Sequence, residues 1–309
     1  MPDAVNPQVR KDADTLATRF RVRDPFRHVV IDDFLTDEYC SQLLAQFPSF
    51  ERGNARNEAG ELGNKSTIEI IRGLGPAYAA LDDLVQSRDF LDLIGRITGI
   101  DDLLYDPWYF GGGTHENRTG QDLDVHVDFN RHPIERWHRR LNLIVYLNRE
   151  WNEGWGGALE LHSDPRSDDD CIVRVAPFFN RAVIFETTEW SWHGFPRIEL
   201  PADKRDLSRR SVALYFYTKE RPAEELAATH STIYVDRPLP ARFVAGHTLD
   251  TDDIAELRLL LARRDQHNQR LYRETSDLSE QLQTAKDALF AGKLGRLRYF
   301  IHQLRRLRQ

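Results

Sequence analysis

The chain has 309 residues, 40% hydrophobic and 29% charged, with a mean hydropathy of −0.57, the ordinary balance of a globular protein that closes its own core. Its net charge of −7 gives no global pull toward nucleic acid, so no nucleic-acid partner is expected. The opening "MPDAVNPQVRKDADTLATRF" lacks the apolar centre of a signal peptide, and no run approaches the roughly 18 apolar residues of a membrane span, so a cytoplasmic location is expected. Cys40 and Cys171 lie far apart in different surroundings, which argues against a disulfide framework or a thiolate zinc site.

In chain order, "FRHVVIDDFLTDEYCSQLLAQF" predicts a strand over Val29–Ile31, a turn with Thr36 as helix cap, and an amphipathic helix to about Phe47. Residues 50–66 are polar and rich in glycine and asparagine, and read as loop. Helical pattern returns over "AYAALDDLVQS" and "RDFLDLIGRITG", with Gly99 as C-cap. From about 103 to 217 the hydrophobic period falls to two. Eight segments show it: "DLLYDPWYF", "LDVHVDF", "RRLNLIVYLN", "ALELH", "CIVRVAP", "RAVIFET", "SWHGFPRI" and "RRSVALYFYT". So many short strands suit a barrel or jelly roll better than a parallel α/β sheet.

Pro238, Pro240 and Gly246 mark a linker. Beyond 250, Leu257, Leu261, Leu271, Leu278, Leu282, Ala285 and Leu289 fall on steps of three and four, with Arg264, Asn268 and Thr275 in the same seam, the pattern of a weak coiled coil. Residues 291–309 carry Lys293, Arg296, Arg298, Arg305, Arg306 and Arg308 with no acid, interleaved with apolar side chains. Such a basic amphipathic helix suits packing on the barrel, a homodimer through the C-terminal helix, or peripheral contact with an anionic membrane. The expected division is therefore 1–100 as N-terminal support, 101–222 as barrel core, 223–250 as linker and 251–309 as helical tail.

Within "DVHVDFN" (124–130), His126 and Asp128 share one face of a strand while Val125, Val127 and Phe129 take the other. Burying an imidazole and a carboxylate is costly unless hydrogen bonds, a paired charge or a metal offsets it. His193 in "EWSWHGFP", flanked by Trp190, Trp192 and Phe195, is the best third ligand. Two histidines and one carboxylate suit a non-heme Fe(II) oxygenase and also a catalytic zinc, while His-x-Asp alone is equally a hydrogen-bonded core pair.

An iron oxygenase that uses 2-oxoglutarate must hold the distal carboxylate of this co-substrate, for which an arginine fork and a tyrosine hydroxyl are a good match. In "RRSVALYFYT", Arg209 shares a face with the small Ser211 and Ala213, whereas Arg210 shares the other with Val212, Leu214 and Phe216. Parity favours Arg209 as the inward cation, and a bulge between would select Arg210 instead. In "RRLNLIVYLN", Asn142 and Tyr146 share a face opposed by Leu141, Leu143, Val145 and Leu147, so both are candidates for the cavity.

Taken together, these residues resemble the 2-oxoglutarate and Fe(II)-dependent oxygenase superfamily, in its prolyl 4-hydroxylase-like branch, from about Phe26 to Pro222. "HVD" with His193 resembles the iron triad, "YLNREWNEGWGGALEL" the central segment, and "RRSVALYFYT" the terminal arginine strand. The resemblance implies a mainly β fold with flanking helices and a double-stranded β-helix (jelly-roll) core. It implies Fe(II) on His126, Asp128 and His193, and 2-oxoglutarate on Arg209 and Tyr146, with Asn142 and Tyr109 of "WYFGGG" contributing to that pocket. Dioxygen, and ascorbate as an added cofactor, complete the set. The implied reaction hydroxylates an unactivated C–H bond and releases succinate and CO2, and the presence of Asp128 favours hydroxylation over halogenation.

The substrate is expected to be a small molecule or a peptide, approached through loops 111–120 and 129–138. His115, Arg118, Asn130, Arg131, His132 and Trp137 are the side chains there able to read it. Two other readings stand beside the oxygenase: a catalytically inactive barrel serving as a binding or scaffolding module through its C-terminal helices, and a zinc hydrolase.

Overall fold

In the computed structural model, which describes residues 4–56, 62–235, 239–240 and 242–290, helices lead into two antiparallel sheets. α1 (Pro7–Lys11) and α2 (Ala13–Phe20) open the chain, ahead of β1 (His28–Ile31) and α3 (Asp37–Ala45), for which Thr36 holds the N-cap position. α4 (Pro76–Gln86) starts on a proline, which suits the first helical position. α5 (Arg88–Thr98) follows at once, with the Phe90 amide donating to Ser87 Oγ at 3.3 Å and Gly99 closing the helix at φ +70°. Its apolar residues Phe90, Leu93, Ile94 and Ile97 recur at helical spacing and face the sheet.

Before α4 run β2 (Asn54–Arg56) and β3 (Leu62–Ile68); after α5 come β4 (Leu104–Tyr105), β5 (Gly113–Asn117), β6 (Leu123–Val127) and β7 (His138–Tyr146). Next in the chain are β8 (Leu159–His162), β9 (Ile172–Val175), β10 (Ala182–Glu186) and β11 (Trp192–Phe195). The last strands are β12 (Arg209–Thr218) and β13 (Ile233–Tyr234). The larger sheet has the order β1-β10-β7-β12-β5-β3-β2, with β4 also on β12; the smaller has β13-β6-β11-β8-β9. Two sheets in this order, face to face, are the double-stranded β-helix.

Side-chain parity decides what each face does. Leu141, Leu143, Val145 and Leu147 of β7 and its end, Ile184 of β10, and Val212, Leu214 and Phe216 of β12 turn outward and pack under α2, α4 and α5 in one apolar cluster. The opposite residues, Asn142, Tyr146, Arg209 and Ser211, turn toward the smaller sheet.

Four sequence expectations are corrected. Residues 50–66 hold β2 and β3 rather than loop alone, and "GTHEN" is β5, a full member of the larger sheet. Both β3 and β5 are polar on each face, so they lack the hydrophobic alternation that announces a strand; what fixes them is register, Ser66 opposite Glu116 and Thr67 opposite His115. "DLLYDPWYF" yields only the two-residue β4, because Asp106 accepts the amides of Trp108 (2.8 Å) and Phe110 (2.9 Å) and turns the chain. Part of the expected linker, Ile233–Tyr234, is β13, paired with β6.

The chain divides into two compact units, Met1–Val235 and Asp236–Gln309. In the second, α6 (Thr251–Phe290) carries Asp253 in its first turn, whose carboxylate accepts from Arg242 Nε at 2.7 Å and pairs with His247 Nε2 at 2.6 Å. Leu261, Leu271, Leu278 and Leu282 of the expected seam are exposed along it. The basic stretch 291–309 lies outside the described residues. No helix among the described residues is long and apolar enough to cross a membrane.

Candidate active site

β6 and β11 are neighbours in the smaller sheet, and their register sets His193 directly across from His126. Gly194 lets the strands approach this closely, since a Cβ there would lie 2.6 Å from the Leu123 carbonyl oxygen. Asp128, two residues past His126, completes a group whose donor atoms all lie within 4.8 Å of one another. His126 Nε2 is 3.7 Å from Asp128 Oδ1, and His193 Nε2 is 3.6 Å from Oδ2. Each imidazole donates its Nδ1–H to a main-chain carbonyl, His126 to Asp124 at 2.8 Å and His193 to Ser191 at 2.9 Å. That bond fixes the tautomer and turns both Nε2 lone pairs toward the carboxylate.

Protonation suits a cation as well. Burial holds both imidazoles below their ordinary value, His193 at about 4. For Asp128, burial alone would raise the carboxyl, but the Arg139 guanidinium, the two histidines and the Asn142 hydrogen bond outweigh it and hold it well below the usual carboxylate range. Because the imidazoles are neutral at physiological pH, Arg139 is the cation that decides this. Two neutral nitrogens and one carboxylate, all but buried and aimed at one point, fit a divalent first-row metal with open positions.

Arg139 is the functional residue that sequence reading missed. Its Nη2 lies 3.1 Å from Asp128 Oδ2, and Asn142 Nδ2 donates to the same oxygen at 2.7 Å. Arg139 also donates to Asn142 Oδ1 from Nε (3.1 Å) and Nη2 (2.8 Å), and its guanidinium lies between the rings of Phe129 and Tyr215. With Oδ2 engaged twice, Oδ1 is the oxygen left to a metal. Simple alternation puts Arg139 on the outer face with Leu141. The register shifts between Phe216 and Tyr217, which stand opposite Leu141 and Arg139, so Arg140 is an extra residue and Arg139 turns inward.

Of the arginine pair on β12, Arg209 is the inward one. Its Nη2 donates to Tyr146 Oη at 3.3 Å and its Nε to the Gly157 carbonyl at 2.7 Å, while its guanidinium lies over the Phe195 ring. Gly157, at φ +69°, makes room, since a Cβ would stand 3.2 Å from Arg209 Cδ. Arg210 lies on the outer face and pairs with Glu116 at 3.2 Å. Among the described residues, no carboxylate comes within ion-pair distance of Arg209, although the side chain is 4% exposed. A buried guanidinium without a protein anion calls for an anionic ligand. Tyr146 accepts from Arg209 and keeps its own hydroxyl proton to donate to that ligand.

Other expected residues fall elsewhere. Tyr109 is turned away from the barrel into the helical core, where its hydroxyl donates to Asp82 Oδ1 at 2.8 Å. Its backbone, at φ +51° after the Asp106 turn, aims the ring at α4. His132 is fully buried against Asp106 at 3.1 Å and accepts the amides of Ile134 and Glu135, a pin for its loop rather than a substrate reader. Arg118 pairs with Glu51 at 2.9 Å. His115 faces the barrel interior from β5, in line with Ser211.

The fold and the site thus define a jelly roll with a candidate metal centre and a buried arginine and tyrosine pair. Residues 113–217 match the family model of the 2OG-Fe(II) oxygenase superfamily, whose description names both the metal and the co-substrate. The chain is 24% identical over 220 residues to prolyl 3-hydroxylase OGFOD1 of Mus musculus, covering 70% of this chain and 36% of that one; it spans about a third of this relative's length. Among solved structures it is similar to a prolyl hydroxylase from Trichoplax adhaerens in complex with a hypoxia inducible factor peptide fragment (TM-score 0.49, 18% identity, 68% of this chain and 90% of that one). A Pseudomonas putida prolyl-4-hydroxylase is similar too (TM-score 0.43, 18% identity, 69% and 100%).

Proposed function

We propose that this chain is an Fe(II)- and 2-oxoglutarate-dependent dioxygenase that hydroxylates an unactivated C–H bond of a peptidyl or small-molecule substrate. His126, Asp128 and His193 would hold the metal, and Arg209 with Tyr146 the distal carboxylate of 2-oxoglutarate. The observation that carries the reading is the pairing of a three-donor site with a buried arginine that has no carboxylate of its own among the described residues. When bound, the metal and co-substrate supply oxidative decarboxylation, with succinate and CO2 as products, coupled to insertion of one oxygen atom into the C–H bond.

The rest falls to the protein. The Nδ1–H bonds of His126 and His193 hold both rings to one tautomer, and Arg139 with Asn142 keeps Asp128 ionised and presents Oδ1. Arg209 orients the co-substrate as a fixed cation in a site that excludes water. The mouse relative's name makes a prolyl residue the first substrate to test. A cytoplasmic location belongs to the same proposal.

Anaerobic addition of Fe(II) and 2-oxoglutarate to the purified protein is expected to give a weak visible charge-transfer band. Absence of that band, in protein that takes up iron, would remove the oxygenase reading. We further propose that α6 carries a homodimer, supported by the exposed leucines along it. Leu271→Glu with Leu278→Glu should then lower the mass seen by light scattering, and an unchanged mass counts against a dimer. Peripheral contact of the basic stretch 291–309 with anionic lipid is proposed from its composition alone.

A further inference from the structure

We propose that the segment from Ala228 to Val235 is a strap built into the active site, and that Tyr234 on it is a positioning residue for the metal ligand His126. The inference rests on the oxygenase reading above. β13 adds an edge strand beside β6, the strand that ends in the His-x-Asp pair, with Ile233 across from Val127 and Tyr234 across from His126. Residues directly opposite in an antiparallel pair project from the same face, so the phenol stands on the metal side of the sheet. The Tyr234 and His126 rings are 5.2 Å apart, centre to centre, at 35°.

This contact ends a row of rings across the site. His126 meets His193 at 4.3 Å, and His193 meets Phe185 of the larger sheet at 4.8 Å. Phe185 is fully buried, so the core holds that end of the row; the strap carries the other end. The bond from His126 Nδ1 to the Asp124 carbonyl sets the tautomer but leaves the ring free to rock about it. A second ring against its face removes that freedom before a metal arrives.

The strap is fastened for this work. Asn130, two residues past Asp128, donates to the Ala228 carbonyl at 2.8 Å and accepts the His230 amide at 3.1 Å. His230 pairs with Glu189 at 2.9 Å, just ahead of the strand that carries His193. At the far end the Val235 amide donates to the Val125 carbonyl at 2.8 Å. Both ligand-bearing strands are thereby tied to one short segment that the sequence presents as linker.

The test uses the full chain and Mn(II) alone as probe, with free Mn(II) read by electron paramagnetic resonance and folding by circular dichroism. Tyr234→Ala is expected to weaken Mn(II) binding about tenfold, the lower end of what loss of an outer partner costs. Tyr234→Phe should restore it, since the ring makes the contact with His126. Val235→Pro, which deletes the amide that seats the strap, should weaken binding in the same direction with Tyr234 still present. Ile233→Ala, on the exposed face, should leave it unchanged.

Should Tyr234→Ala fail to fold, Tyr234→Leu keeps apolar volume without the ring and takes its place. Wild-type affinity in the alanine or leucine variant overturns the role of Tyr234, as does an equal loss in Ile233→Ala. A wild-type protein that binds no Mn(II) overturns instead the oxygenase reading on which the strap depends.

Discussion

The two ends of the barrel are built from the same strands to opposite purposes. At one end the inner residues of β10, β8 and β9 close on each other through Val183, Phe185, Leu159, Leu161 and Val175, with Phe26 and the ring of Tyr146. Toward β5 and β3 the inner face carries Asn117, His115 and Thr67, and the charge of Lys65 reaches both His115 and His126. Apolar contacts fill the first end and polar groups line the second. The candidate metal donors His126, Asp128 and His193 sit where the apolar filling gives way to polar groups, an arrangement that separates stability from chemistry.

That separation can be broken by substitution, and the largest effect is expected where the two functions meet. Asp128→Ala removes a ligand and strips Arg139 of its carboxylate, so metal uptake should vanish and stability should fall by about 3–5 kcal/mol in denaturant titration. A variant that still takes up metal would show that Asp128 is no ligand. Arg209→Ala should weaken 2-oxoglutarate by about 2–5 kcal/mol in calorimetry while metal affinity stays near wild type. Equal losses of both would mean that the pocket and the metal site are not separate.

At the closed end, Leu161→Ala should cost about 2–5 kcal/mol of stability, with metal and co-substrate affinities preserved in the folded fraction. Arg139→Lys sharpens the contrast from the other side. A lysine cannot engage Asp128 and Asn142 together while lying between two rings, so metal affinity should drop about 10- to 100-fold.

The smallest effect concerns acid. Burial first, then the charges of Lys65 and Arg209, holds His115 well below the ordinary imidazole value of 6.5. As pH falls through that value the unfolded chain binds a proton that folded His115 refuses, so stability is lost on acidification and is complete above it. His115→Gln should flatten this part of the curve of melting temperature against pH; an unaltered curve would place the acid sensitivity elsewhere.

Legibility followed the reach of each signal. The outward stripes of β7 and β12, the helix pattern of α5 with its glycine cap, and the pairing of His126 with Asp128 are periodicities within a few residues, and the structure carries them as expected. Tyr109 was misplaced because a turn held by Asp106 reverses the direction of its ring, which no strand pattern reports. β3 and β5 escaped because both of their faces are polar.

By itself the sequence determined which side chains share a face, and hence that His126, Asp128, a tyrosine and one arginine of an adjacent pair turn toward a common interior. This follows from the fixed twofold period of a strand, a property of the local backbone. Tertiary structure alone decided that Arg139 turns inward at a bulge, that Arg209 lacks a carboxylate partner among the described residues, and that Tyr234 stands on His126. Each depends on which distant strand lies alongside and in what register, and pairing across tens of residues leaves no periodic mark in the chain.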